Sequence, residues 1–376
     1  MSPHPEHFQI RNEVRSLTSF RFLAAFYVYL FHLQIRTEYF GDGILGGSIS
    51  EGAVGMTMFF TLSGFILSHA YEGTKIDARA FYTNRFARIY PVYFLAAILA
   101  LPWLFEDIGT EAGATSIVYA LVSFAILVVF GFLLIQAWLP QTFVFWNNNA
   151  SWSISVETFF YALFPGLRDL IASVGNKPLI FMFVALCIIS PMIPASAIVF
   201  SNAPEDFALF YAQPIFRLPE FVAGIVSYQL ARRVAWTPGL RNFLLVVLLL
   251  GVLHVALLGP FLPGFTLNNW ILIPAVSAAL VLLHKAEAAG SKFLGGAVMV
   301  WLGQISYCFY SFQFHVLEGL DWVMPPERAD GWVYALGSFV LLLAVSALVH
   351  HFVEEPARVW IRNRAQKSRK AKGAVA

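Results

Sequence analysis

Arg21 and His32 close the two ends of an apolar stretch, RFLAAFYVYLFH, and stand eleven residues apart. At about 100° per residue they return to within about 20° of one helical face, about 16 Å apart along the axis. A neutral imidazole can act as a general base or as a nucleophile. An ionisable group inside an apolar span is costly, and is kept for function or for pairing. The plainer reading is a flanking arginine that reaches the headgroups and a histidine hydrogen-bonded to a neighbouring helix. Other sets invite the same question. Glu157 lies within SWSISVETFFYALFP, where Ser153 and Glu157 could instead form a loose helix cap. Arg217 and Glu220 in FRLPEFVAGI are three apart, the spacing of an ion pair stitching helices. Arg85 and Arg88 also share a helical face; guanidinium groups so placed can hold phosphates bidentately, or simply mark the cytosolic side.

Several chemistries are not written in the chain. It has no HExxH, no paired cysteines and no close histidine cluster beyond His350 and His351, so no metal site is expected. Cys187 and Cys308 sit in apolar segments, with no disulfide framework or thiol site in view. There is no GxSxG elbow and no Walker loop, which argues against a serine hydrolase and against ATP-driven transport. Ser63 in LSG is read as a small residue at a helix contact. His69, His254, His284, His350 and His351 fall near span ends and are read as interfacial.

The elements that must position these groups are membrane spans. Of 376 residues, 59% are hydrophobic and only 12% charged, against about 25% charged in soluble domains. With a mean hydropathy of +0.69 this is the composition of a polytopic membrane protein, not of a soluble enzyme with an anchor. The net charge of +2 decides little, but its distribution orients the chain. Lys75, Arg79, Arg85 and Arg88 in one short loop, Arg232, Arg233 and Arg241 in another, and the basic tail 358–372 go to the cytosol by the positive-inside rule. The acidic loop EDIGTEAGAT goes outside. Ten spans are expected, at about 20–35, 53–70, 88–105, 116–135, 179–200, 208–230, 242–258, 270–283, 298–317 and 332–352. Between the fourth and fifth, QAWLPQTFVFWNNNASWSISVETFFYALFPGL reads as a re-entrant or broken segment, tolerated where protein or a water-filled cavity covers its backbone. The expected architecture is an all-α polytopic transmembrane helix bundle. It comprises a cytosolic segment 1–19, a membrane core 20–353 and a basic cytosolic tail 354–376. No cleavable signal pattern precedes the first span, which is expected to serve as the insertion signal. Both termini are expected in the cytosol, and His32 toward the outer end of the first span.

The motifs together resemble the acyltransferase-3 family of integral-membrane acyltransferases. LTSFRFLAAFYVYLFHL is similar to its first-span pattern of a basic residue, ten residues and a histidine. FFTLSGFILS, FYTNRFARIYPVYF, SWSISVETFFYALFP, FRLPEFVAGI, LGQISYCFYSFQFHV and VEEPAR resemble its later motifs, in the family's order. One departure is that Gln313 stands where the family often has histidine, and His315 where proline follows; no catalytic role passes to His315. The resemblance implies transfer of an acyl group, usually acetyl, from cytosolic acyl-CoA to a hydroxyl of a carbohydrate or glycoconjugate, often outside the cytosol, at a bacterial inner membrane. It implies His32, Glu157 and Arg21 as catalytic residues, and Arg85, Arg88 and Tyr90 as the acyl-CoA site. Ser153, Arg217, Glu220 and Gln313 fall on the structural or substrate path. Membrane lipids are implied as partners, nucleic acid and metal are not. A secondary transporter or flippase for a sugar-like or lipid-linked solute is the competing reading, with Arg21, His32, Glu157, Arg217 and Glu220 as its polar path. Transporters commonly show paired broken helices in two related halves, and only one irregular segment is legible here. Acyl-CoA consumption by the purified protein separates the two.

Overall fold

The computed structural model describes residues 13–111, 117–139, 151–201, 207–262, 269–325 and 331–373. Among the described residues every regular element is helical and no strand occurs. In chain order the helices are α1 (Arg15–Thr37), α2 (Ile44–Ser50), α3 (Gly55–Ala70), α4 (Ala78–Glu111), α5 (Ile117–Phe132), α6 (Ser151–Ser173), α7 (Asn176–Ser201) and α8 (Phe207–Ala212). They continue with α9 (Pro214–Arg233), α10 (Pro238–Leu257), α11 (Ile273–Ala288), α12 (Ala297–Ser311), α13 (Gln313–Val323), α14 (Gly331–Val349) and α15 (Glu355–Gly373). A π-helical turn, His350–Glu354, joins the last two.

Among the described residues, five stretches are long and apolar enough to cross a membrane: Arg15–Thr37, Gly52–Ala70, Ala78–Glu106, Pro238–Leu257 and Gly331–Lys367. Of the other expected spans, those at 116–135 and 270–283 coincide with the shorter α5 and α11, and that at 179–200 falls on α7. The span expected at 298–317 is two helices, α12 and α13, meeting at Phe312. The one expected at 208–230 breaks at Gln213, where Pro214 opens α9 with its fixed φ and missing donor. Arg85 and Arg88, expected in a loop, lie on α4, because the helix already begins at Ala78. In the expected re-entrant segment, Ser151–Ser173 is one continuous helix that carries Pro165; residues 140–150, with Asn147 to Asn149, lie outside the described residues.

The centre of the bundle is α1, α3, α9 and α12. The first turn of α1 has orphan N–H groups and no cap from its own chain segment. Glu287 of α11 supplies it, accepting from Arg15 N at 2.8 Å and Ser16 N at 2.7 Å. Backbones of α3 and α9 nearly touch. A Cβ on Gly64 would lie 2.1 Å from the Phe221 carbonyl oxygen, and one on Gly224 would lie 2.0 Å from that of Thr61. Only glycine permits this crossing. On the periphery, α10 keeps Phe243, Val246, Leu249 and Leu250 exposed. An apolar helix with so little covered by protein is suited to lipid.

Candidate active site

On α3, the helix of this close crossing, a cavity of about 110 Å³ opens, lined also by α1, α4, α6 and α12. Arg21 enters from α1, Ser63 from α3, Arg85 and Arg88 from α4, Ser153, Glu157 and Tyr161 from α6, Tyr307 and Tyr310 from α12. Glu157 is held as an acceptor: Ser63 Oγ donates at 3.2 Å and the Tyr161 hydroxyl at 2.5 Å. It is therefore not a helix cap, and Ser63 is more than a packing residue. Ser153 pairs with the Tyr310 hydroxyl at 3.1 Å. The Tyr307 hydroxyl donates to the Ile89 carbonyl at 2.7 Å.

The arginines are held in different ways. The Arg85 guanidinium lies 5.7 Å from the Tyr161 ring and 6.0 Å from that of Phe81. Its Nε is buried and has no hydrogen-bond partner among the described residues. Arg88 Nη1 is 3.0 Å from Glu354 Oε1, whose side chain is 0% exposed. The other oxygen of Glu354 receives Cys308 Sγ at 3.3 Å and stands 2.8 Å from His350 Nδ1. These sulfur, nitrogen and oxygen atoms fall within 4.8 Å of one another, which is metal-ligand spacing. Here the carboxylate is engaged by Arg88 on one side and by two hydrogen-bonding groups on the other, an arrangement that fixes Arg88. Read from sequence, Cys308 is set aside as a thiol without a site and His350 as interfacial, and Glu354 is met only within VEEPAR. A signal was present in HHFVEE, which sets His350 and Glu354 one turn apart. Cys308 could be added only by packing.

Other expected site residues stand elsewhere. His32 does not line the cavity. Its imidazole lies against the Gln313 amide, with the charge of Arg36 acting on it. Gln313 itself donates to the Ala25 carbonyl at 3.0 Å. Tyr90 turns away, stacked on Phe86 at 4.5 Å and donating to the Phe132 carbonyl at 3.3 Å. Arg217 and Glu220 are both 0% exposed and pair at 2.9 Å. Phe60, Tyr211 and Trp270 surround the Arg217 guanidinium at 5.2, 5.3 and 5.5 Å. Thr57 donates to Glu220 at 2.6 Å. The pair lies one turn apart on α9 and does not line the cavity; Thr57 ties it to α3, and the three guanidinium nitrogens of Arg217 have no hydrogen-bond partner among the described residues. His315, already set aside, has Nε2 2.9 Å from the Ala96 carbonyl oxygen.

The acyltransferase domain family model matches residues 14–351, nearly the whole chain. The chain belongs to the acyltransferase-3 family. It is 29% identical over 365 residues to the acyltransferase MdmB of Streptomyces mycarofaciens, covering 91% of this chain and 90% of that one. It is 27% identical over 202 residues to the exopolysaccharide production protein ExoZ of Rhizobium meliloti (strain 1021), covering 52% of this chain and 54% of the other. A putative acetyltransferase, ORF330 of Acidianus two-tailed virus, is 26% identical over 262 residues, 69% of this chain and 71% of its own. No solved structure matches. The acyltransferase-3 match contains every residue that lines the cavity and stops at residue 351, just short of Glu354. The carboxylate that holds Arg88 thus comes from just beyond the acyltransferase-3 match.

Proposed function

We propose that this membrane acyltransferase moves an acyl group, acetyl in the simplest case, from acyl-CoA to a hydroxyl of a carbohydrate or glycoconjugate. The observation that carries the reading is the convergence of Arg21, Arg85 and Arg88 on one cavity. Arg85 keeps a buried Nε with no hydrogen-bond partner among the described residues, which an anionic ligand such as a phosphate would satisfy. ExoZ, by its name, serves exopolysaccharide production, which supports a carbohydrate acceptor.

In this reading Arg85 and Arg88 hold the phosphates of the donor, and its acyl arm extends along α1 from Arg21 toward His32, about 16 Å further up the helix. The acceptor oxygen attacks the thioester carbonyl, the C–S bond breaks, and the thiolate leaves. The hydroxyl proton passes to a His32 ring nitrogen; if His32 is itself the acyl carrier, the acyl group rests there before the acceptor takes it. Gln313 orients the imidazole. Glu157, fixed by Ser63 and Tyr161, keeps Arg21 and Arg85 facing the donor. The matching topology is ten crossings of the bacterial inner membrane with both termini in the cytosol, which sets the arginines inside and His32 toward the outer face.

The test is acyl-CoA binding and consumption by the purified protein. Arg85→Gln with Arg88→Gln should weaken acyl-CoA binding by about 1–3 kcal/mol per lost charged hydrogen bond. Wild-type protein that neither binds nor consumes acyl-CoA would overturn the donor assignment. A labelled acyl group retained on wild type when acceptor is withheld, and absent from His32→Ala, would mark His32 as the carrier.

A further inference from the structure

The basic tail reads from sequence as a membrane-surface segment, but α15 packs along α4, the helix that carries Arg85 and Arg88. From Glu354, which holds Arg88, eight residues of chain lead to Arg362, about 12 Å along a helix axis. Because α15 leads away from the π turn, Arg362 lies on the cytosolic side of Arg88 in the proposed topology. The groups that act on it include Arg358, Arg85 and Arg88, with Tyr71 acting in the opposite sense. Two of the four arginines have carboxylate partners: Arg88 pairs with Glu354, and Arg358 with Glu355. Arg85 and Arg362 have no such partner among the described residues, and each keeps a buried Nε without a hydrogen bond. Like-charged guanidinium groups held together without a counter-ion are unfavourable. A polyanion that bridged them would remove the repulsion and supply the missing acceptors.

We propose that α15 completes the donor site. Arg85 and Arg88 take the diphosphate of CoA at the inner end, and Arg362 takes the ribose phosphate at the cytosolic rim. The inference rests on the acyl-CoA reading and deepens it: the nucleotide end is recognised by a helix beyond residue 351, where the family match stops.

The experiment compares CoA with dephospho-CoA, which lacks only the ribose phosphate, in binding titrations on the full-length protein. Wild type should prefer CoA by about tenfold or more, the size of one lost charged hydrogen bond at a partly screened site. Arg362→Gln should abolish that preference while leaving dephospho-CoA affinity unchanged, and Arg362→Lys should restore part of it. Arg241→Gln, an exposed charge at the start of α10, should keep the full preference. Thermal unfolding of each variant shows that the fold is intact. An undiminished preference in Arg362→Gln would overturn the proposal while leaving the donor reading in place. So would loss of co-purified anionic lipid from that variant, seen by native mass spectrometry, with its nucleotide preference unaltered; the arginines would then hold a lipid headgroup. Wild type that binds neither nucleotide would remove both readings.

Discussion

Glu354→Gln is the substitution that best isolates how the cavity keeps its arginines. The side chain is 0% exposed, while its partner Arg88, 3.0 Å away, keeps 22% of its own exposed to the cavity. At that separation the direct attraction is about 5 kcal/mol for an effective dielectric near 20. Desolvation of both charges takes back much of this. Glutamine preserves the shape and removes the charge, and water reaching the partly exposed Arg88 should soften the loss. We expect a destabilisation of about 2 kcal/mol, read as a lowered Tm in detergent, with a raised KM for acyl-CoA and a smaller change in kcat. The reciprocal change should be worse. Arg88→Gln leaves a fully buried carboxylate without its cation, a situation that typically costs about 3–5 kcal/mol. The double variant should then be more stable than Arg88→Gln alone, because neither charge is stranded. Thermal unfolding of the four proteins forms a double-mutant cycle. Additive losses, or an Arg88→Gln protein no less stable than Glu354→Gln, would refute the coupling and the positioning of Arg88 by Glu354.

Four other outcomes follow from the same reading. His32→Ala should lower acceptor acylation by roughly 10²–10⁴-fold with little change in Tm, and His254→Ala should do neither; a structural His32 would instead lose stability and keep activity in whatever folds. Gly224→Ala brings a Cβ within 2.0 Å of the Thr61 carbonyl oxygen and should cost about 1–3 kcal/mol or more by forcing α3 from α9. Gly319→Ala, where nothing lies within 4 Å, should be neutral or mildly stabilising. A cysteine placed at Arg79 should resist an impermeant reagent applied to intact cells, and labelling from outside would invert the proposed topology.

The sequence alone carried the class of molecule and the kinds of group it needs. Apolar runs of span length and the sorting of Lys and Arg against Asp and Glu made it a helical membrane protein, because hydrocarbon forbids unpaired backbone and charge. Motif order placed it near a family, and the spacing of Arg85 and Arg88 already put both on one helical face. Sequence also carried the separation of Arg21 from His32, since both lie on one rigid helix, α1. Span count was less legible. The breaks at Gln213 and Phe312 depend on how neighbouring helices cover the freed backbone, which hydropathy does not record.

Tertiary structure decided which polar groups meet. Arg217 and Glu220 became a fully buried pair because aromatic rings from three other segments wrap the guanidinium. Tyr90 turned to α5 while Arg88, two residues earlier on the same helix, faced the cavity. Ser63 met Glu157 across 94 residues of chain. Glu354 reached Arg88 only because a π turn and the packing of α15 on α4 bring the end of the chain back to the third long apolar helix. Local spacing governs what one helix presents on one face. A cavity takes its walls from five helices, and their mutual rotation is set by contacts such as Gly64 on Phe221, which no local pattern in the chain encodes.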